Sequence, residues 1–266
     1  MDEGIIRIFG RHELKGGHSQ IVGRKIYKYD TVGSTNDIAF MYGAKKEKEG
    51  AVIWARSQAK GRGRLGRNWI SHKDKGLYFS LLLRPEITVQ NASTITLVAA
   101  VAVTNFLRKF SGLEFLIKWP NDIVIKDTKI CGILTEMDAE AVKIKFMVVG
   151  IGINTNFRQS ELPVKESTSL KILLQKEIPH DTLLNACLKE IDTYYSLFKS
   201  KGYKTIIDEA RHLSGLWGRQ VRVSQLNTNE IIEGIATDFD DSGALVLRLH
   251  NGFLKHINCG DVKLLR

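Results

Sequence analysis

The sequence predicts a mixed α/β (α+β) fold: a mixed or antiparallel sheet with flanking helices over residues 1–213, then a small β-barrel over 214–266. Three observations carry this. Four short β-like runs follow one another between Phe115 and Val149 with only tight turns between them, which suits antiparallel neighbours and leaves no room for helical crossovers. The breaker-free, alanine- and valine-rich stretch Ala92–Phe110 reads as a mostly buried helix closed by Gly112. From Gly215 onward the texture changes to short alternating strands, divided by Asp241-Ser242-Gly243 and Asn251-Gly252, which are hairpin chemistry.

In chain order, residues 21–31 read as a strand ending in Asp30-Thr31. Ser34-Thr35-Asn36-Asp37 then starts a helix, with a hydroxyl N-cap, an acid in the first turn and a buried stripe of Ile38, Met41 and Tyr42. Ala51–Ala55 and Gly76–Leu83 are strand-like. Phe115–Trp119, Ile123–Ile125, Ile130–Leu134 and Lys145–Val149 are the four β-like runs, with turns at Pro120-Asn121, Asp127-Thr128 and Asp138–Glu140. Leu184, Cys187, Leu188, Ile191, Tyr194, Tyr195 and Phe198 give a helix over about 181–200, and Ile206, Ile207, Ala210 and Leu213 extend it past Gly202. Val221–Val223, Ile231–Ala236, Ala244–Leu249 and Leu254–Ile257 build the barrel, which holds no catalytic constellation and is expected to pack against the main domain.

With 43% hydrophobic and 26% charged residues, the 266-residue chain has an ordinary globular composition. No run approaches the apolar length of a membrane span, and Met1-Asp2-Glu3-Gly4 opens acidic without a signal core. A cytoplasmic location with no membrane partner is the expectation. Cys131, Cys187 and Cys259 form no CxxC pair and suit reduced core thiols. The formal charge of +10 raises a nucleic-acid reading. Yet between Arg56 and Lys75 seven basic residues face one acid, Asp74, so a local +6 is focused on one loop, which suits a polyanionic small ligand or an acidic protein equally well. Residues 1–20 are too short for a helix-turn-helix and lack an apolar helical period, so no DNA partner is expected.

That loop is Gly61-Arg62-Gly63-Arg64-Leu65-Gly66-Arg67. Arginine presents a planar fork to carboxylate and phosphate oxygens, and glycine lets backbone N–H groups approach an anion. Such a loop should be loose when empty and order around a doubly anionic ligand. A disordered RG-type segment is the bland alternative, opposed by the folded context on both sides. Lys118-Trp119-Pro120-Asn121-Asp122 gathers an ammonium, an amide and a carboxylate at one strand end. The trio fits a nucleoside triphosphate with Mg²⁺, with Asn121 and Asp122 as oxygen ligands directly or through water; a purely structural turn is the alternative. Lys129 would ordinarily be a solvated hairpin tip, but Gly132 in the following strand suggests a close backbone approach. Val148-Val149-Gly150-Ile151-Gly152-Ile153-Asn154 is no dinucleotide fingerprint, because Thr155 replaces the last glycine; its glycines suggest a strand flanking a flat ligand. Anion-binding devices without a visible nucleophile imply direct attack of one bound substrate on another, the protein supplying position and charge.

Ser34-Thr35-Asn36, Gln58, the arginine–glycine loop, Lys118–Asp122, Lys129-Ile130-Cys131-Gly132 and Gly150–Asn154 occur in one order, and together they resemble the biotin–protein ligase (biotin–[acetyl-CoA carboxylase] ligase) family over roughly residues 21–266. The resemblance implies a catalytic domain related to class II aminoacyl-tRNA synthetases and lipoate ligases, followed by an SH3-like domain. It implies a monofunctional ligase, without the N-terminal DNA-binding domain that makes many relatives repressors. The implied reaction activates biotin with ATP and Mg²⁺ to biotinyl-5′-AMP, then transfers biotin to a lysine of a biotin carboxyl carrier domain. By the same resemblance Ser34, Thr35, Asn36 and Gln58 hold the ureido ring. Gly61, Arg62 and Arg64 belong to the loop closing over biotin and adenylate, Arg67 lies nearer pyrophosphate, and Trp69 walls the mouth. Lys118, Asn121 and Asp122 take the triphosphate and metal. Lys129 binds the biotin carboxylate beside Gly132 and is the critical residue, with Arg64 and Asp122 as further catalytic groups. Gly150, Gly152 and Asn154 line the nucleotide side. No prosthetic group is implied; an exposed sheet edge would let two copies pair as a homodimer. A lipoate or octanoate ligase on the same fold and a basic nucleic-acid module are the rival readings.

Overall fold

The computed structural model describes residues 8–12, 20–162, 164–225 and 230–265, with backbone alone over 8–12. The remaining residues at 1–20, where no helix-turn-helix was expected, lie outside the described residues. In chain order come β1 (Ile8–His12), β2 (Lys25–Val32), α1 (Thr35–Ala44), β3 (Ala51–Gln58), β4 (Gly76–Leu83) and α2 (Ser93–Ser111). Then follow β5 (Leu116–Lys118), β6 (Asp122–Ile125), β7 (Thr128–Glu140) and β8 (Lys143–Asn154). Helices α3 (Leu170–Leu174), α4 (His180–Lys201) and α5 (Lys204–Leu213) lead to β9 (Gln220–Ser224), β10 (Ile231–Phe239), β11 (Leu245–Arg248), β12 (Leu254–Ile257) and β13 (Asp261–Leu264).

The first eight strands form one sheet in the order β1-β2-β3-β4-β8-β7-β6-β5. It is mixed: β2 and β3 run parallel through the α1 crossover, and the other neighbours are antiparallel. On one face lies α2, whose apolar side chains merge with those of α4, α5 and the sheet into the main core. On the opposite face α1 packs against a smaller cluster that includes Ile53, Leu82, Phe146 and Val148. Central strands β4 and β8 are therefore covered on both sides and read as nearly unbroken apolar runs.

Several boundaries differ from expectation. The turn anticipated at Asp138–Glu140 is strand, because β7 and β8 continue as a long hairpin that turns only after Glu140, with Ala141 at φ 52°. Gly202, at φ 77°, ends α4, so Ile206 to Leu213 belong to a separate helix and not to an extension. The small domain is a five-stranded antiparallel sheet, order β12-β11-β10-β9-β13, whose last strand was missed because four residues show too little alternation. Residues 89–111 do reach membrane-span length at mean hydropathy 1.2, but 61% of the apolar window is buried inside the protein, as befits a core helix. Apolar side chains of β9, β10 and β11 join the main core, and Trp119 Nε1 donates to Gly243 O at 3.1 Å, so the small domain packs against the sheet as expected.

Candidate active site

The start of α1, the ends of β3, β5 and β8, and the arginine–glycine loop converge on a cavity of about 570 Å³. Every residue expected for the site lines it except Gly61, and so do Asp261 and Val262 of the small domain. Gly61 stands behind the wall, where a Cβ would lie 2.7 Å from Ser71 Oγ and 3.1 Å from Gln58 Nε2.

One corner is a preset hydrogen-bond array. Ser34 caps α1, its Oγ accepting from Asn36 N at 3.3 Å. Gln58 Oε1 accepts from Thr35 N at 2.8 Å and from Thr35 Oγ1 at 3.0 Å, while its Nε2 donates to Ser71 Oγ at 2.8 Å. A backbone N–H can only donate, so the orientation of the Gln58 amide is set. Ser80, fully buried on β4, contributes a hydroxyl 2.7 Å from Thr35 Oγ1 and 2.6 Å from Asn36 Oδ1. Asn36 Nδ2 donates to Leu134 O at 3.3 Å and to Glu136 Oε2 at 2.6 Å, so this amide is engaged on both sides within the protein.

The floor is a cross-strand glycine pair, Gly132 opposite Gly152. A flat group does lie against it, and it is the chain's own Trp69 indole. A Cβ on Gly152 would stand 2.5 Å from Trp69 Nε1, and one on Gly132 would stand 2.9 Å from Cζ3. Gly150 gives the same close approach to Asn36, whose Cγ would be 2.9 Å from an added Cβ. Asn154 is anchored by its Nδ2 to Thr168 O at 3.1 Å.

Charge gathers around this floor. Lys129 Nζ lies 2.6 Å from Asp122 Oδ1 and 5.2 Å from the Trp69 ring centroid. Its backbone is tied to the 164–168 segment, N to Glu166 O at 2.8 Å and O from Thr168 N at 2.9 Å, so it is no solvated hairpin tip. Burial pushes the Lys118 ammonium below its ordinary pKa, with Asp122 partly opposing. Arg64 is also pushed down by burial. Its Nη1 faces Asn121 Oδ1 at 3.2 Å, Gly260 O at 3.1 Å and Asp261 Oδ1 at 3.3 Å; Arg67 pairs with the same Asp261 carboxylate. Arg62 turns the other way, to Asp37 and Glu136. The loop also closes on itself through Trp69 N to Gly61 O at 2.9 Å and Gly63 N to Arg67 O at 2.7 Å, with Gly66 at φ 69°.

Sequence reasoning gave the small domain no part in the site, and Asp261 corrects that. Asp261 belongs to the missed strand β13, 194 residues beyond Arg67, and no local pattern marks it. Ser71, Ser80 and Glu136 were missed as well: Ser80 is a lone polar residue in an apolar strand, Ser71 lies in the connection between β3 and β4, and Glu136 is one of several polar residues towards the end of β7, and none of the three belongs to a motif. Among the described residues no group of three His, Cys, Asp or Glu could hold a metal alone. For Mg²⁺ carried on a triphosphate one carboxylate is enough. Asp122 fits as the carboxylate in the cavity wall, its buried Oδ1 facing only the Lys129 ammonium at 2.6 Å. Asn121 fits less well, since its Oδ1 accepts from Arg64 and its Nδ2 donates to Ile133 O at 2.7 Å.

The sequence profile of the biotin/lipoate A/B protein ligase family matches residues 30–154, and that of the biotin protein ligase C terminal domain matches 217–265. The bifunctional ligase/repressor BirA of Bacillus subtilis is 33% identical over 253 residues, 94% of this chain and 77% of that protein. The biotin–[acetyl-CoA-carboxylase] ligase of Mycobacterium tuberculosis is 30% identical over 240 residues, 88% of this chain and 86% of that one. A biotin protein ligase from Aquifex aeolicus, solved in complex with biotin and ATP, superposes with a TM-score of 0.77 at 29% identity, covering 91% of this chain and 98% of the other.

Proposed function

The chain belongs to the biotin–protein ligase family, and from that premise we propose that it adenylates biotin and passes it to one lysine of a biotin carboxyl carrier domain. It is an ATP-dependent ligase of the biotin–[acetyl-CoA-carboxylase] class. The carboxylate oxygen of biotin attacks the α-phosphorus of ATP, the bond to the β-phosphate breaks, and pyrophosphate leaves. The acceptor amine then attacks the biotinyl carbonyl, loses a proton and releases AMP.

The single observation that carries this reading is the Lys129–Asp122 pair, 2.6 Å apart, set beside a glycine floor and facing a cationic wall of Lys118, Arg64 and Arg67 around one cavity. Lys129 would meet the biotin carboxylate and stabilise charge on the attacked centres, with Asp122 orienting it and taking the amine proton. The Ser34–Thr35–Gln58 corner supplies the fixed donors and acceptors that a ureido ring requires. Lys118, Arg64 and Arg67 would bind the phosphates, Arg62 would serve the closing loop, Gly150 and Gly152 would let Asn36 and Trp69 lie close to the floor, and Asn154 would border the nucleotide side. Mg²⁺ on the triphosphate would take Asp122 as its protein oxygen and neutralise phosphate charge. Water reaching the mixed anhydride would hydrolyse it, so a loop folded over the cavity serves retention as well as binding.

The test is pyrophosphate release from ATP and Mg²⁺ without acceptor protein, run with biotin, lipoate and octanoate in parallel. Release with biotin alone is expected. Release with lipoate or octanoate alone would transfer the chain to the lipoate side of the fold, and silence with all three would overturn the ligase reading.

A further inference from the structure

A polar relay runs beneath the cavity from the core to the arginine loop. Ser80 Oγ, on β4 and without solvent exposure, lies 2.6 Å from Asn36 Oδ1. Asn36 Nδ2 donates to Glu136 Oε2 at 2.6 Å. Glu136 accepts from Arg62 Nη2 at 3.1 Å on each of its oxygens, and Arg62 Nη1 pairs with Asp37. From this relay we infer that Glu136 is a positioning residue, transmitting the setting of the Asn36 amide to Arg62 and so placing its guanidinium for loop closure. This role presupposes the ligase reading proposed above.

Three features argue for it. First, the Asn36 amide cannot turn. It is pressed against the Gly150 backbone, its Oδ1 faces Ser80, and its Nδ2 is shared between Leu134 O and Glu136. A fixed amide fixes the carboxylate that accepts from it. Second, Glu136 stands on β7 on the same face as Gly132 and Leu134, at the two-residue spacing of a strand, and thus on the face that bounds the cavity. Third, the Arg62–Glu136 pair is a poor device for stability. The two side chains keep 37% and 34% exposure, and ion pairs so exposed add little to folding. What the carboxylate does provide is a preset direction for a long, rotamer-rich side chain, which lowers the ordering cost when the loop meets its ligand.

The test is a double-mutant cycle on biotin-dependent pyrophosphate release. Glu136→Ala is expected to raise KM for biotin about tenfold, the size of a lost preorganised contact, with kcat within about threefold. In an Arg62→Ala background the same change should do nothing further, because its effect runs through Arg62. Glu136→Gln keeps the length and one acceptor oxygen and should recover part of the loss, so it carries the same cycle where the alanine variant fails to fold. A wild-type KM in Glu136→Ala, or full additivity with Arg62→Ala, overturns the role while leaving the ligase reading intact. A wild-type protein that releases no pyrophosphate with biotin overturns the ligase reading itself, and the role with it.

Discussion

Gly152→Ala is a one-methyl perturbation with a calculable consequence. The new Cβ would stand 2.5 Å from Trp69 Nε1, 2.6 Å from Cε2 and 2.9 Å from Cζ2. Ordinary carbon contacts begin near 3.5 Å, so the indole must retreat by about an ångström. It cannot do so freely. The same ring lies against Gly132 on the neighbouring strand and beneath the Lys129 ammonium, and its backbone N–H is tied to Gly61 O at 2.9 Å. Overpacking of this kind costs about 1–3 kcal/mol. Because Trp69 belongs to the loop and not to the apolar core, that cost should fall on the loop's closed arrangement. KM for biotin should rise about 5- to 160-fold while the melting temperature moves by no more than about 2 °C. Pyrophosphate release titrated with biotin, beside calorimetry, reads both. A KM within twofold of wild type refutes the steric reasoning, and so does a large loss of melting temperature with KM unchanged.

Lys129→Ala should abolish adenylation in a folded protein, since it removes the ammonium 2.6 Å from Asp122; near-wild-type pyrophosphate release would refute its role. Asp261→Asn removes the carboxylate shared by Arg64 and Arg67, a partly buried link worth about 1 kcal/mol, and trypsin should cut the 56–70 segment several-fold faster. Unchanged cleavage would mean that the small domain does not hold the loop. Burial depresses the Lys118 pKa from its ordinary 10.5, and bound phosphate favours the charged form. ATP binding therefore takes up a proton once pH exceeds that depressed value, so KM for ATP should stay flat below it and rise above it. Lys118→Arg, whose guanidinium keeps its charge, should push the alkaline rise upward; an identical profile in both proteins would exclude Lys118 as its source.

Much of the site was legible because its pieces are local. Ser34 as an N-cap, Pro120 ending a strand beside Asn121 and Asp122, and three arginines among three glycines each declare their geometry within a few residues. Helix α2 was legible for the same reason, as an unbroken apolar run with a left-handed glycine cap. What escaped depends on pairing across the chain. Glu136 looks like any polar strand residue until β7 and β8 are seen to continue past the expected turn. Ser80 looks like a break in an apolar strand until α1 is laid over it. The glycines of β8 announced a close approach, but only the Gly132–Gly152 register shows that it serves Trp69.

Asp261 has a consequence for the order in which the site comes into being. Lys129 leaves the ribosome 132 residues ahead of Asp261. At roughly 5–20 residues per second that is an interval on the order of ten seconds. During it Ser34, Gln58, the arginine loop and Lys129 have all been synthesised, while Arg64 and Arg67 still lack their carboxylate. The cavity is therefore completed only when β13 has been made, and through that interval a nascent chain carries the arginine loop unanchored on that side.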